Sequence, residues 1–463
     1  MFRFLDHPHS RREFLRVGGL ALGGLSLPAL LRTRALAAQA GVRVKDCSVV
    51  FLFLHGGPPQ TETFDPKMDA PSEVRSVTGE VRTTLPGITF GSTFPGLARL
   101  AHKIAVVRSF RPGNENHDLK PLVSASTGGA NIGSIYARLA GANHPQSGIP
   151  TNVALFPQAV DPGAQPAVRD FGRFESAGPL GPACEAFAPA SGKGFQKDLE
   201  LSLPRNRFSD RRLLLERLDA ARRRFDAPGA VDGLDQFRAQ AFDLVLRGMA
   251  GAFDLSLEDP RIIDRYDTAP LVPVETIDKK WNNHKNYRDN AQTLGKLLLL
   301  ARRLCEAGCG FVTVTTNFVW DFHADVNNAT VAEGLRYVGR PFDRAVSAFI
   351  EDVEARGLSD RILLVACGEM GRTPRLNAKG GRDHWGALGP LLLYGGGLRM
   401  GQVIGSSTRN AGEPATEPVS VDDLIATVLQ AQFDLGELRV VPSLPREIKR
   451  LIEVGRPIAD LAS

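Results

Sequence analysis

The chain has 463 residues, 43% of them apolar and 23% charged, with 47 Gly and 31 Pro, a mix that excludes collagen-like, coiled-coil and wholly disordered chains and provides for a sizeable core. Lys and Arg outnumber Asp and Glu by 56 to 51, a net charge of +5, which raises nucleic-acid or membrane binding as the first question. Residues 1–37 answer it: six Arg against Asp6 and Glu13 hold four of the five net charges there, so no nucleic-acid partner is expected for the remainder.

In chain order, the first feature is Ser10-Arg11-Arg12-Glu13-Phe14-Leu15-Arg16, followed by a Gly-rich apolar run of 15 residues from Val17 to Leu31 and by Arg34-Ala35-Leu36-Ala37-Ala38. A basic stretch, a short apolar run and an A-x-A site predict an export signal over residues 1–37. Arg11-Arg12 beside Phe14-Leu15 resembles the twin-arginine signal, which implies the twin-arginine translocase as a partner during export and a periplasmic or secreted destination. The run is shorter than the roughly 20 residues that span a bilayer, so no stable membrane anchor is expected. Five cysteines, Cys47, Cys184, Cys305, Cys309 and Cys367, are too sparse for a disulfide framework. Cys305 and Cys309 lack Cys-x-x-Cys spacing and read as core thiols.

Ser48–Leu54 is a continuously apolar run of the kind buried on both faces of a parallel sheet, and it ends in the loop His55-Gly56-Gly57-Pro58-Pro59. Similar runs recur at Ile104–Val107, Phe311–Thr315, Ile362–Ala366 and Leu391–Tyr394. Between Tyr287 and Arg356 a Leu-rich helix stops at Gly308-Cys309-Gly310, a strand follows, and a second helix runs through Phe342, Ala345, Val346, Phe349 and Ile350 with helical apolar spacing. This alternation predicts an α/β fold, a mostly parallel sheet flanked by helices. Residues 38–463 are expected to form one domain. Turn-rich and Arg-rich stretches, among them Asp210–Phe225, mark about 150–286 as an insertion or lid. Val421–Leu429 reads as an amphipathic closing helix.

In an open parallel sheet, ligands bind beyond the carboxyl ends of the strands, and the loops at those ends carry the chemistry. After Phe311–Thr315 comes Trp320-Asp321-Phe322-His323; after Ile362–Ala366 come Gly368-Glu369-Met370-Gly371-Arg372-Thr373-Pro374 and Gly380-Gly381-Arg382-Asp383-His384-Trp385. Asp and His together suit Zn²⁺ or Mn²⁺ better than Mg²⁺ or Ca²⁺, which prefer oxygen. Only six His besides His323 lie beyond Gly41, so their recurrence beside carboxylates at one edge points to a shared site holding one or two divalent ions, with His55 a further candidate ligand. Asn114-Glu115-Asn116-His117-Asp118 is either a fourth element of that site or a capped turn. Arg372 and Arg382 would either clamp an anionic substrate or pair with Asp383 or Glu369.

Val49–Thr63, Asn116-His117, Trp320–His323, Gly368–Pro374 and Gly381–Trp385 resemble the exported bacterial proteins of Domain of Unknown Function 1501. That family is similar to the alkaline phosphatase and sulfatase superfamily, whose members hold one or two divalent metals at strand ends and hydrolyse phosphate or sulfate esters. The resemblance implies that Asp321, His323 and His384 share one metal, with Glu369 on or near a second. This chain has His55-Gly56-Gly57 where the superfamily places a metal-binding Asp, and it lacks the Cys-x-Pro-x-Arg signature. The function expected is an exported metal-dependent hydrolase acting on a small anionic ester or a sulfated or phosphorylated polymer, with His117 protonating the leaving group and Arg372 offsetting developing charge. Ser124 and Thr127 are candidate nucleophiles. The alternative is a secreted binding or assembly protein that keeps the fold without catalysis.

Overall fold

The computed structural model describes residues 42–189, 250–442 and 444–462. The expected export signal and the Arg-rich stretch Asp210–Phe225 lie outside these residues. The main elements are β1 (Ser48–Phe53), β2 (Ile104–Val107), α1 (Ile132–Ala140), β3 (Asn152–Leu155), α2 (His284–Glu306), β4 (Phe311–Val314), α3 (Arg340–Ala355), β5 (Ile362–Cys367), β6 (Leu391–Gly395), β7 (Gln402–Ile404), α4 (Val421–Gln432) and α5 (Arg446–Val454).

Seven strands form one sheet in the order β7-β2-β6-β5-β1-β4-β3. β1 lies at its centre, parallel to β4 with Val49 opposite Phe311 and parallel to β5 with Val49 opposite Leu363. Only β6 runs against its neighbours. The central strands read as unbroken apolar runs because both faces are covered. Val50, Leu52, Val312, Val314, Leu364 and Ala366 pack under α2 and α3. Val49, Phe51, Phe53, Phe311, Leu363 and Val365 pack under α1, α4 and α5. The closing helix α4 begins at a capping box, in which Asp423 N–H donates to Ser420 Oγ and the Asp423 carboxylate accepts from Ser420 N–H.

The stretch expected as an insertion from about residue 150 opens inside the sheet, since β3 pairs with β4 as an edge strand. Four residues beginning with Asn are too short and too polar at the start to announce a strand. All five cysteines are buried free thiols, and no described helix is long and apolar enough to cross a membrane.

This topology brings the site loops together. β1, β2, β3, β4 and β5 all end at one edge, so the segments after them share it. β6 runs the other way and therefore starts at that edge, which puts Asp383-His384, just upstream of it, among the loops that follow the parallel strands.

Candidate metal centre

Four side chains converge at the carboxyl edge of β1, β4 and β5: the ligand atoms of His117, Asp321, His323 and His384 all lie within 4.8 Å of one another. The Asp321 Oδ1 atom is the focus. The Nε2 atoms of His323, His117 and His384 stand 3.0, 3.6 and 3.7 Å from it. The imidazoles are packed together, with ring centroids 4.2 Å apart for His117 and His384 and 4.6 Å for His323 and His384.

The remaining ring nitrogens explain why the Nε2 atoms face inward. His117 Nδ1 is 2.8 Å from Glu369 Oε1, and His323 Nδ1 is 2.8 Å from Asp383 Oδ1. A carboxylate accepting from Nδ1–H favours the tautomer whose Nε2 lone pair faces inward, the arrangement that metal-binding histidines use; at His323 that Nε2 also lies 3.3 Å from Arg372 Nη1. His384 Nε2 is buried without a hydrogen-bond partner, and an orphaned acceptor of this kind costs stability unless something fills the position. Asp321 Oδ2 is held at 2.8 Å by Asn328 Nδ2. Three imidazoles and one carboxylate in mutual reach are a donor set that fits a tetrahedral divalent ion.

Arg372 is fully buried beneath this group. Its guanidinium donates to Asp321 Oδ1 and to the carbonyls of Gly56, Gly57 and Arg382. Burial works against the Asp321 carboxylate, but the Arg372 charge and the neighbouring His323 outweigh it and hold its pKa far below the usual carboxylate range. With its donors committed, Arg372 serves the site as a fixed countercharge, and its partner is Asp321 rather than the Asp383 or Glu369 that its sequence neighbourhood offered. Arg382 is also fully buried and pairs with Glu62 at 2.9 Å, while donating to the carbonyls of Val74, Arg75 and Thr373. It fastens the loop that carries Asp383 and His384 and does not face a ligand.

The first loop contributes through its backbone. The Gly56 N–H donates to Glu369 Oε1 at 2.9 Å, and the His55 carbonyl accepts from Val319 and Trp320 N–H at 3.2 and 3.0 Å. Gly56 has φ +109°, and a Cβ there would stand 2.6 Å from Asp321 N, so only Gly lets the β1 and β4 loops touch. Gly381 is required in the same way, since a Cβ would meet His323 O at 2.2 Å.

The His55 side chain, a candidate ligand on sequence grounds, is placed outside the four-residue group. Its ring lies among Phe53, Phe171, Phe174 and Phe318, with centroids 5.0 to 5.8 Å away, and neither ring nitrogen has a partner. Burial lowers its pKa to about 4. Glu369 likewise stands behind His117 and not among the four. Thr127 is buried in a turn, its Oγ1 donating to the Ser124 and Ala130 carbonyls at 2.9 and 2.6 Å, and neither Thr127 nor Ser124 lines the cavity at the site.

That cavity, about 480 Å³, opens over His117, Asp321, His323 and His384. Its other walls include Asp170, Phe171, Asn283, Asn286, Phe318 and Asp325, and among the described residues no Lys, Arg, Ser, Thr or Cys lines it. Asn328 and these walls were missed in the sequence because isolated polar loop residues have no periodicity. The one available signal was the Asn-rich spelling of Asn282-Asn283 and Asn327-Asn328.

Compared with protein families, residues 46–441 match Protein of unknown function (DUF1501). No curated protein matches the chain. Among solved structures, Ps i-CgsB in complex with k-i-k-neocarrahexaose is similar at 9% identity, covering 89% of this chain and 75% of that one with a TM-score of 0.35. The phosphonate monoester hydrolase SpPMH from Silicibacter pomeroyi is similar at 12% identity, covering 89% of this chain and 76% of that one with a TM-score of 0.31. Likeness at that level carries no argument about the reaction.

Proposed function

The chain belongs to the DUF1501 family of proteins of unknown function, and from that premise we propose that it is a metal-dependent hydrolase of phosphate or sulfate esters acting outside the cytoplasm. The observation that supports this reading best is the convergence of His117, Asp321, His323 and His384 at the floor of a cavity. Three nitrogens and one carboxylate favour Zn²⁺ or Mn²⁺ over Mg²⁺ or Ca²⁺. A divalent ion held there supplies Lewis acidity toward an ester oxygen and makes water a better nucleophile near neutral pH.

The chain's own residues then have defined work. Glu369 and Asp383 orient His117 and His323, and Asn328 orients Asp321. Arg372 keeps Asp321 ionised. This reassigns His117 from proton donor to ligand and Arg372 from substrate clamp to countercharge. Among the described residues the cavity walls carry Asp170 and Asp325 and no basic residue, so an anionic ester group would be favoured at the metal position over these walls. Among the described lining residues none carries a hydroxyl or thiol, which supports water as the attacking group. Export through the twin-arginine route is supported by Arg11-Arg12-Glu13-Phe14-Leu15.

The same lack of a side-chain nucleophile favours the second reading, a secreted binding or assembly protein that holds a metal without turnover. Metal analysis by mass spectrometry and a panel of aryl phosphates, phosphodiesters and aryl sulfates, run on the exported protein and on Asp321→Ala, separates the two. The hydrolase reading expects bound Zn or Mn and turnover of at least one ester class, both lost in the variant. Metal without turnover on the whole panel would establish the binding protein, and absence of metal would overturn the site.

A further inference from the structure

A second cavity, about 920 Å³, lies along the outer face of α3 and shares no lining residue with the metal centre. Its wall is arginine-rich. Arg340 and Arg344 are one turn apart on α3, and Arg336 precedes them by four residues in the π-helical turn Leu335–Gly339 that leads into it, so the three follow one another along one ridge. Arg99 and Arg265 also line it, and among the described lining residues the carboxylates are two, Asp343 and Glu351. Both carboxylates are already engaged. Glu351 pairs with Arg265 at 2.9 Å, and Asp343 accepts from the N–H groups of Gly96 and Leu97 at 2.9 and 2.8 Å.

Among the described residues the other cations form no salt bridge: Arg344 reaches the Asp264 carbonyl at 3.3 Å, and Arg99 is near enough to Asp343 for their charges to interact without a direct contact, while Arg336 and Arg340 have no carboxylate partner. A surface arginine ridge by itself is ordinary, but this one borders a concave space. Ser347, on the same helix and lining the same cavity, is 94% buried, and its hydroxyl has no hydrogen-bond partner. A buried hydroxyl of this kind is satisfied by a ligand acceptor or by water.

We propose that this cleft is a binding site for a linear polymer bearing sulfate or phosphate esters, held by Arg99, Arg336, Arg340 and Arg344, with the Ser347 hydroxyl donating to one of its oxygens. Three cations along the ridge, with Arg99 lining the same cavity, exceed what a single tetrahedral oxyanion neutralises, and guanidinium groups match such oxygens bidentately. Among the described residues no Phe, Tyr or Trp lines the cleft, so these walls offer no platform for the stacked bases of single-stranded nucleic acid. The inference is independent of whether the metal centre turns over an ester.

Fluorescence anisotropy with labelled dextran sulfate at low and high salt tests it, with neutral dextran and an oligo-dT strand as comparison probes. Dextran sulfate should bind the exported protein in a salt-sensitive manner, and the triple variant Arg99→Ala, Arg336→Ala, Arg340→Ala should weaken it by about tenfold or more with an unchanged melting temperature. Arg340→Glu alone should weaken it in the same direction and serves if the triple variant misfolds. A control that removes three exposed arginines elsewhere, Arg82, Arg409 and Arg450, should retain binding. Equal loss in that control, no loss in the cleft variants, loss in His384→Ala, or binding of oligo-dT or neutral dextran as tight as that of dextran sulfate would each overturn the proposal.

Discussion

Two buried ionic clusters in this molecule use the same residue types to opposite ends. At the side of α2 and α3, Arg302 is 1% exposed and donates to Asp352, Glu306 and Glu258 at 2.9, 2.5 and 2.5 Å. Arg356 takes the remaining oxygens of the same three carboxylates at 2.9, 3.3 and 3.1 Å, and Tyr266 OH adds a bond to Asp352 at 3.0 Å. Every carboxylate oxygen there has a partner. At the metal centre, by contrast, three Nε2 atoms face one carboxylate oxygen, and one of them has no partner at all. A saturated cluster has nothing left to offer a ligand, whereas an unsaturated one that is held in place by its outer hydrogen bonds does. Saturation, more than burial or charge, separates the structural cluster from the one that could hold a ligand.

The contrast can be broken from either side. The largest effect is expected from Arg302→Met, which leaves three carboxylates short of a buried partner and should destabilise the fold by about 3–5 kcal/mol in chemical denaturation, while metal content per folded chain stays the same. His384→Ala should do the reverse: metal affinity falls by more than the roughly 100-fold that outer partners can cost, and the stability of the metal-free protein, measured in chelator, shifts by less than about 1 kcal/mol. If both variants moved both readouts alike, the two clusters would not differ in kind.

A finer comparison sits inside the metal centre. Glu369 is wholly buried, while the Asp383 side chain is 54% exposed, although each holds an imidazole Nδ1 at the same 2.8 Å. Glu369→Ala removes the buried acceptor that His117 Nδ1 meets and should cost about 10–100-fold in metal affinity. Asp383→Ala should cost less, because water can replace the lost acceptor at an exposed position. Titration with a competing chelator ranks the two, and equal losses would show that burial does not set the strength of these outer bonds.

Much of this was legible in the sequence where a physical pattern repeats. β1, β4 and β5 were visible because burial on both faces removes polar residues from consecutive positions. Asp321, His323 and His384 stood out because strand-end loops in a parallel sheet are where such groups gather. The roles of Arg372 and Arg382 were not legible, since their partners Asp321 and Glu62 lie 51 and 320 residues away and nothing local encodes such pairings. His55 was misleading for a related reason: its position after β1 is the one that matters, but its backbone supplies the contact while its ring turns into a Phe-lined box.

That box provides the smallest expected effect. The imidazole of His55 has no partner on either nitrogen, and burial holds its pKa at about 4, whereas in the unfolded chain it lies near 6.5. Between these values the unfolded state binds a proton that the folded state refuses. Stability should therefore be level above about pH 6.5 and fall as pH drops toward 4, by at most about 1.4 kcal/mol per pH unit for this one group. His117, lowered to about 3 by burial, adds a slope of the same sign in the metal-free protein, so only the difference between wild type and His55→Phe isolates His55. Measured by denaturation in chelator from pH 4 to 8, that difference should be constant above pH 6.5 and change steadily below it. A constant offset of either sign reports how well a phenyl ring fits among Phe171, Phe174 and Phe318, while the slope reports the proton. A difference that stays flat to pH 4 would mean that His55 finds a partner or water when charged, and the Phe-lined box would then be more open than its packing shows.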